Sequence, residues 1–286
     1  MEEEKHGGFS VLMSVWAQED PDAFDIALES NLVAQTKRPD ELVLVCDGPL
    51  TLGLEAVIAK YKKAFPSVLK VFYKDSNQGL GNALRFGLAQ CTCPLVARSD
   101  SDDVCAEERF EVQTAFMEQH PDISIISSYI DEFEQDWKRP RNIKICPLDH
   151  EKMKKMIKLR NPLNHMAVMF RKEDILEVGS YRHVPYTEDY DLWIRAVVQG
   201  KKIANIGRIL VHARVGPGWL ARRSSKARIA SWKQMNEYMY ENHFITYLEK
   251  CRNMMGIRIF VYMPLCLKKL LYDTILRKKV TYRNGT

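Results

Sequence analysis

Short apolar runs alternate with amphipathic stretches over the first hundred positions. Phe9-Ser10-Val11-Leu12-Met13-Ser14-Val15, Leu42-Val43-Leu44-Val45-Cys46, Val68-Leu69-Lys70-Val71-Phe72-Tyr73 and Pro94-Leu95-Val96-Ala97 are short and rich in β-formers, and they predict four strands. Between the first two, Asp20 is placed to cap a helix with Pro21 at its first position, where a missing N–H does no harm. Phe24, Ala27, Leu28 and Leu32 follow at helical spacing. Leu54, Val57, Ile58 and Tyr61 mark a second helix, and a third runs from about Asn82 to Ala89. This alternation predicts an α/β domain: a mostly parallel sheet with helices on both faces.

The pattern continues less regularly. Phe110, Phe116 and Met117 suit a helix ending near His120-Pro121, and Ile123-Ser124-Ile125-Ile126-Ser127 suits a strand. Residues 134–148 are polar and contain proline, which predicts a loop or short strands. Met153, Met156 and Ile157 mark an amphipathic helix. Asn161-Pro162-Leu163-Asn164-His165 reads as a turn before a strand, Met166-Ala167-Val168-Met169-Phe170. Glu188-Asp189-Tyr190-Asp191-Leu192-Trp193 opens another helix, whose dipole favours acidic residues in the first turn. Leu192 and Trp193 are expected in its core.

Gly216-Pro217-Gly218 breaks the pattern and sets a boundary. The expected organisation is a flexible N-terminus at 1–8, an α/β domain at 9–215 and a basic amphipathic helical extension at 216–286. The apolar run from Ile257 to Leu267 is interrupted by Arg258 and Pro264. It falls short of the roughly twenty apolar residues a spanning helix needs. Leu265, Leu267, Leu270, Leu271, Ile275 and Leu276 then mix with Lys268, Lys269, Arg277, Lys278 and Lys279. Such a helix lies on a membrane interface, or packs on the domain or a second subunit.

Charge sharpens this division. The net charge of the 286-residue chain is +5, yet residues 214–286 hold fifteen Lys/Arg against four Asp/Glu, a net of +11, which leaves the body at −6. A basic quarter on an acidic body points to an anionic partner. Seven cysteines, an odd number without paired CxxC spacing, argue against a disulfide framework and fit a reducing compartment. Cys91-Thr92-Cys93 is read as structural. The polar, acidic Met1–Gly8 stretch is unlike a signal peptide.

Candidate chemistry centres on Arg98-Ser99-Asp100-Ser101-Asp102-Asp103. Three carboxylates in four residues follow a buried strand, at the end where open α/β sheets bind ligands. Crowded carboxylates raise one another's pKa unless they face water or hold a cation, and Asp oxygens suit magnesium or manganese bound beside phosphates. Gly79-Leu80-Gly81 with Gly87 imitates a dinucleotide fingerprint. Its third glycine comes three places late and it follows the third strand, so it reads as a turn and a helix contact.

Taken in order, these stretches resemble bacterial family-two glycosyltransferases of the GT-A fold, the kind that builds capsular or exopolysaccharide repeat units. The likeness covers roughly residues 9–215. Cys46-Asp47-Gly48 stands where the family has its base-contacting aspartate. Asn77-Gln78-Gly79 with Ala83 and Gly87 follows the family's glycine-containing stretch, with Arg85 where many members have Asn. Arg98-Ser99-Asp100-Ser101-Asp102-Asp103 resembles its metal motif. Gly179-Ser180-Tyr181, then Glu188-Asp189-Tyr190-Asp191-Leu192-Trp193, resembles the motif supplying the base. The family's late Arg-x-His is not reproduced: His212 precedes Arg214.

The resemblance implies a metal-dependent, inverting transfer from a nucleotide-diphosphate sugar, with UDP first. It implies Asp189 as general base, with Glu188 and Asp191 as rivals that cannot all face one point of a helix. Asp47, Asn77, Gly79, Arg98, Asp100 and Ser101 would bind the donor. Asp102 with Asp100 would hold a manganese or magnesium ion, while Asp103 orients the loop or meets the donor sugar. Asn164, His165 and Glu188 are acceptor candidates, although a turn asparagine and a packed histidine read equally well. Arg222 and Arg223 are candidates for a donor diphosphate or a lipid phosphate. The expected partners are a UDP-sugar, a glycan or polyprenyl-diphosphate-linked acceptor and the inner membrane surface, with no nucleic acid, so the expected location is the cytoplasm, peripheral on the membrane. A nucleotidyltransferase would use similar carboxylates but needs a Gly-rich basic loop after its first strand, where Trp16-Ala17-Gln18-Glu19-Asp20 stands. A non-enzymatic anion-binding or nucleic-acid-binding protein would leave the acidic cluster unexplained.

Overall fold

A computed structural model describes residues 8–216, 225–271 and 277–279. Its first half follows the expected alternation: β1 (Phe9–Val15), α1 (Pro21–Leu32), β2 (Glu41–Cys46), α2 (Leu52–Ala64), β3 (Leu69–Tyr73), α3 (Leu80–Gln90) and β4 (Leu95–Ser99). The Asp20 side chain caps α1 by accepting from Asp22 and Ala23. These four strands pair in parallel in the order β4-β1-β2-β3. Strand periodicity splits their side chains between two cores. Phe9, Val11, Met13, Leu42 and Leu44 face α1 and α2, while Leu12, Val43, Val45 and Val96 face α3 and the later helices. Helices on both faces are therefore borne out.

A buried carboxylate ties these strands together. Glu41 in β2 accepts from Ser10 at 2.6 Å, from Lys70 in β3 and from the Thr92 amide after α3. Burial alone would raise its pKa. The hydrogen bonds from Lys70, Ser10 and Thr92 outweigh burial and hold it below the usual range.

The second half is antiparallel where its pairings are short. It comprises β5 (Val104–Cys105), α4 (Arg109–Gln119), β6 (Ile123–Phe133), β7 (Asn142–Lys144), α5 (His150–Met156), β8 (Met169–Arg171), α6 (Lys172–Glu177), α7 (Glu188–Val198) and β9 (Lys202–Arg214). β8 runs antiparallel between β4 and β6, whereas the long β9 lies parallel to β6 and pairs with β5. Two expectations change here. The strand predicted to stop at Ser127 continues to Phe133, because β9 supplies a partner along its length. The predicted strand at 166–170 opens as a 3-10 turn, His165–Ala167, with Ser127 Oγ donating to the Asn164 carbonyl at 3.0 Å and accepting from its amide at 3.1 Å.

The C-terminal part forms α8 (Ala227–Glu241), α9 (Tyr247–Tyr262), α10 (Leu265–Leu271) and a short β10 (Lys278–Lys279) on β7. Met235, Met239 and Ile245 join the same core as Trp193. Trp232 packs edge-on against Tyr190 of α7 at 5.6 Å. Asn253 of α9 donates to Asn236 of α8 and to the Lys158 carbonyl, both at 2.8 Å. Over α10 the leucines of the 265–276 stretch face outward rather than onto the domain, and one of its cations is buried. Lys268 is buried and its Nζ donates to the Val261 carbonyl, while Leu265, Leu267 and Leu270 are exposed. The cation satisfies a carbonyl at the end of α9, and this turns the leucines outward. Ile275 and Leu276 lie outside the described residues, as do Arg222, Arg223, Pro217, Gly218 and residues 1–7.

Candidate active site

Parallel strands deliver their C-terminal ends to one edge of the sheet. Loops after β1, β2 and β4 therefore gather there. Asp100, Asp102 and Asp103 follow β4, and one oxygen from each lies within 4.8 Å of the others. Arg98, buried in β4, pairs with Asp100. Asp103 is buried, with Oδ1 accepting from the Arg214 amide at 2.7 Å and Oδ2 without a partner among the described residues. The Arg214 side chain donates from Nε to the Asp102 carbonyl at 3.1 Å. Ser101 donates to Glu19, from the loop after β1, at 2.7 Å. Burial, then Asp100 and Glu19, push the Asp102 carboxyl up to about 7, and burial with Asp102 and Asp100 raises Asp103 well above its ordinary value. Divalent charge is what such a set of hard oxygens accommodates.

Beside it, the loop after β3 folds onto the end of β2. Asp47 accepts from the Gln78 and Gly79 amides at 3.0 and 2.9 Å and faces Lys74 Nζ at 3.4 Å. Asn77 Oδ1 also accepts from the Gly79 amide, at 3.2 Å. Gly48 permits this approach: its φ is +94°, and a Cβ there would lie 2.7 Å from the Asn77 nitrogen. Asp47 thus shapes the loop that carries Asn77 and Gly79.

The second carboxylate group opens α7. Gly81, at the start of α3, lets this segment come close, since a Cβ there would meet the Arg182 carbonyl at 2.5 Å and Glu188 Cβ at 3.2 Å. Glu188 sits at that contact. Burial and then Asp189 push its carboxyl up to about 7. Asp189 accepts from Asn161 Nδ2 at 2.6 Å, and burial raises its pKa against the opposing pull of Lys144, Arg98 and Arg228. Asp191 turns inward and pairs with the buried Arg195 at 2.9 Å, so it is spent on the core, as are Leu192 and Trp193.

Asp189 also lines a cavity of about 710 Å³ between the α/β domain and the C-terminal helices. Asn164 and His165 contribute to its wall. Asn164 is buried and donates to the Ser128 carbonyl at 2.7 Å. His165 contacts the Tyr181 hydroxyl through Nε2 at 3.0 Å and stands edge-on to Trp193. Burial, with Arg98 nearby, lowers its pKa well below the ordinary value, so the ring is neutral.

The sequence profile of Glycosyl transferase family 2 matches residues 21–179, more than half of the chain. The chain belongs to that family. It is 39% identical over 227 residues to the amylovoran biosynthesis glycosyltransferase AmsE of Erwinia amylovora, covering 79% of this chain and 84% of AmsE. It is 34% identical over 271 residues to the Escherichia coli UDP-Gal:alpha-D-GlcNAc-diphosphoundecaprenol beta-1,3-galactosyltransferase, covering 94% and 97% of the two chains. Among solved structures, Staphylococcus aureus TarS residues 1–349 with UDP-GlcNAc superimposes with a TM-score of 0.65 at 16% identity, over 89% of this chain and 73% of that one. This chain spans 46% of a longer TarS chain. The mannosyltransferase PcManGT of Pyrobaculum calidifontis, in complex with GDP-Man and Mn2+, superimposes with a TM-score of 0.61 at 14% identity, over 92% and 78% of the two chains. The glycosyltransferase assignment displaces the nucleotidyltransferase and simple anion-binding readings.

Three residues of this family-two enzyme escaped sequence reasoning. Glu19 and Asn161 sit in loops with no motif of their own. Arg214 reaches the acidic cluster because β9 runs beside both β5 and β6, with His212 opposite Val104 and Arg214 opposite Phe133. That pairing joins strands far apart in the chain and leaves no local signal in the sequence. His212 itself is engaged by Asp131, at 2.9 and 3.0 Å, and packs on Trp137.

Proposed function

We propose that this glycosyltransferase moves a sugar from a UDP-sugar to a glycan or lipid-linked glycan acceptor in bacterial surface polysaccharide synthesis. The transfer is an inverting, single displacement that uses manganese or magnesium. One observation carries the reading: three converging aspartates occupy the edge of the sheet, and a separate carboxylate, Asp189, lines a large neighbouring cavity. The names of AmsE and of the E. coli galactosyltransferase support the polysaccharide setting and the uridine donor.

The oxygen-only donor set and the unpartnered Asp103 Oδ2 fit a hard divalent ion. Asp102 and Asp100 would hold it, where it would supply Lewis-acid neutralisation of the diphosphate leaving group. Asp103 anchors the loop to β9 through the Arg214 amide. Arg98 aligns Asp100, and Ser101 fixes the loop against Glu19. Asp47, Asn77 and Gly79 form the nucleoside end, with Asp47 acting largely through the loop it holds. The acceptor hydroxyl enters from the cavity. Asp189 takes its proton as the oxygen attacks the anomeric carbon, and Asn161 holds the carboxylate in that orientation. Asn164 and His165 contribute to the acceptor wall, and Glu188 tunes Asp189 as a neighbouring charge.

No helix among the described residues is long and apolar enough to cross a membrane. Leu248, Met255, Ile259 and Tyr262 nevertheless form an exposed stripe along α9, continued by Leu265, Leu267 and Leu270. With the basic balance of this quarter, that surface suits peripheral docking on the cytoplasmic face of the membrane. Sedimentation with phosphatidylglycerol vesicles at low salt, lost in Ile259→Ser/Leu267→Ser, checks the docking. The donor reading is tested by thermal shift with UDP, GDP and dTDP, with and without manganese. Metal-dependent stabilisation by UDP is the expected result, and indifference to all three nucleotides would overturn the reading.

A further inference from the structure

The cavity beside Asp189 is larger than one acceptor hydroxyl requires, and its chemistry is divided. Apolar walls come from Leu159, Ile257 and Phe260. Five arginines also line it, among them Arg160 after α5 and Arg252 on α9. Arg160 and Arg252 have no carboxylate partner among the described residues; Arg252 reaches only the neighbouring Asn253 amide oxygen, at 3.2 Å. The acidic residues of the wall are already engaged, Glu132 by Arg277 and Asp189 by Asn161. The open charge of the cavity is therefore positive.

Two buried polar atoms in the same wall lack partners among the described residues, Thr187 Oγ1 and Asn164 Oδ1. Thr187 is 2% exposed and Asn164 1%. Orphaned buried groups of this kind mark a missing polar ligand or water. Thr187 is the N-cap of α7, whose first turn carries Asp189. The cavity thus offers hydroxyl-binding groups near the base and cations elsewhere on an apolar wall.

Helix geometry extends this path outward. At ~100° per residue, Leu248, Met255, Ile259 and Tyr262 fall within about 60° of one another on α9. Arg252 lies between that exposed stripe and Gly256, which lines the cavity. A ligand with a polar head near Asp189, a diphosphate at Arg160 and Arg252 and a first apolar segment against Leu159, Ile257 and Phe260 matches the walls of the cavity.

We infer that this cavity is the binding site for the isoprenoid-diphosphate portion of a lipid-linked acceptor, with Arg160 and Arg252 gripping the diphosphate and Leu159, Ile257 and Phe260 the first isoprene units. The inference rests on the transferase reading given above and adds to it the residues that recognise the acceptor's carrier.

Calorimetric titration of the full chain with farnesyl diphosphate tests it, with UDP and manganese saturating so that the donor edge is filled. The wild-type protein binds, and Arg160→Ala/Arg252→Ala binds at least tenfold more weakly. Farnesol and inorganic pyrophosphate each bind at least tenfold more weakly than farnesyl diphosphate, since each supplies half of the contacts. Gly256→Leu gives an independent steric test. Nothing lies within 4 Å of a Cβ at Gly256, and leucine suits a helix interior better than glycine, so the side chain narrows the cavity without unfolding α9. It too weakens binding at least tenfold. UDP titration of each variant reports whether the fold survives.

Equal affinity in the arginine variant and the wild type would overturn the assignment, as would a wild-type protein that binds UDP but no farnesyl diphosphate. Loss of phosphatidylglycerol-vesicle retention in the arginine variant, with farnesyl diphosphate binding intact, would assign the arginines to bilayer headgroups and also overturn it. Arginine-dependent binding of farnesyl diphosphate by a chain that ignores UDP would uphold the cavity assignment and sink the donor reading instead.

Discussion

The carboxylate edge proposed to take the donor and the cavity proposed to take the acceptor are neighbours built in opposite ways. The donor edge takes its carboxylates from one four-residue stretch, and parallel pairing of β4, β1 and β2 places the supporting loops beside it. The cavity draws its wall from β6, β7, the 156–166 segment, α7, α8 and α9. One site is a local motif on a topological edge. The other exists only because distant elements dock. The difference teaches where tolerance lies: reading and rebuilding a donor edge needs a motif, while an acceptor site changes whenever the docking of the C-terminal helices changes.

Asp189→Asn tests the boundary between the two regions most severely. Removing a general base lowers kcat by about 10²–10⁴-fold while UDP binding persists. Single-turnover kinetics beside UDP titration read both, and near-normal turnover would break the division into donor edge and acceptor base. Asp102→Asn acts on the donor side alone. Manganese-dependent stabilisation by UDP disappears, a loss of about 2.7 kcal/mol at a ligand concentration 100-fold above Kd, measured by thermal shift.

A smaller effect is expected at Asn161→Ala, which removes the 2.6 Å hydrogen bond to Asp189. That bond favours the ionised carboxylate, so its loss raises the pKa of the base further. The acidic limb of the pH–rate profile moves to higher pH, and kcat/KM at neutral pH falls about tenfold, in line with a charge-assisted hydrogen bond of ~1.5–3 kcal/mol partly replaced by water. An unmoved profile would show that Asn161 only packs.

The smallest effect is on stability. Glu188 titrates near 7 in the fold against an ordinary value of 4.5. Between these values the folded chain keeps a proton that the unfolded chain has lost. Stability therefore falls as pH rises through that window and stays lower above it. Glu188→Gln removes this penalty. It gains about 1–2 kcal/mol at pH 8 and little at pH 4, as denaturant melts at the two values would show. A gain independent of pH would refute the charge origin.

Much of the donor half was legible in the chain, for physical reasons that are local. The Asp20-Pro21 pair specifies a helix start through its own hydrogen bonds and fixed φ. Strands β1, β2 and β4 are largely buried on both faces and so read as mostly apolar runs, whereas β3, at the sheet's edge, is half-exposed and carries Lys70. The opposition of Asp189 and Asp191 also followed from helix rotation alone, and Asp191 does pair with Arg195 in the core. Other features were not legible. The helix at 188–198 was foreseen, but not that Asn161 would meet Asp189 across 28 residues. Lys268 reads in the sequence as one of the cations flanking an apolar face. It is buried because the end of α9 leaves a carbonyl for it to satisfy.

The sequence by itself determined the alternation of elements in the first half, the placement of the acidic stretch at a strand's end and the faces that α1 and α2 bury. These depend on periodicity, capping and the twofold repeat of strands, all set within a few residues. The tertiary structure alone decided that Arg214 and Glu19 would reach the aspartates, that Asp47 would serve the loop carrying Asn77 and Gly79, and that Arg160, Arg252 and Asp189 would share one cavity. Those outcomes depend on strand order and helix docking, in which contacts between residues far apart in the chain outweigh local preference.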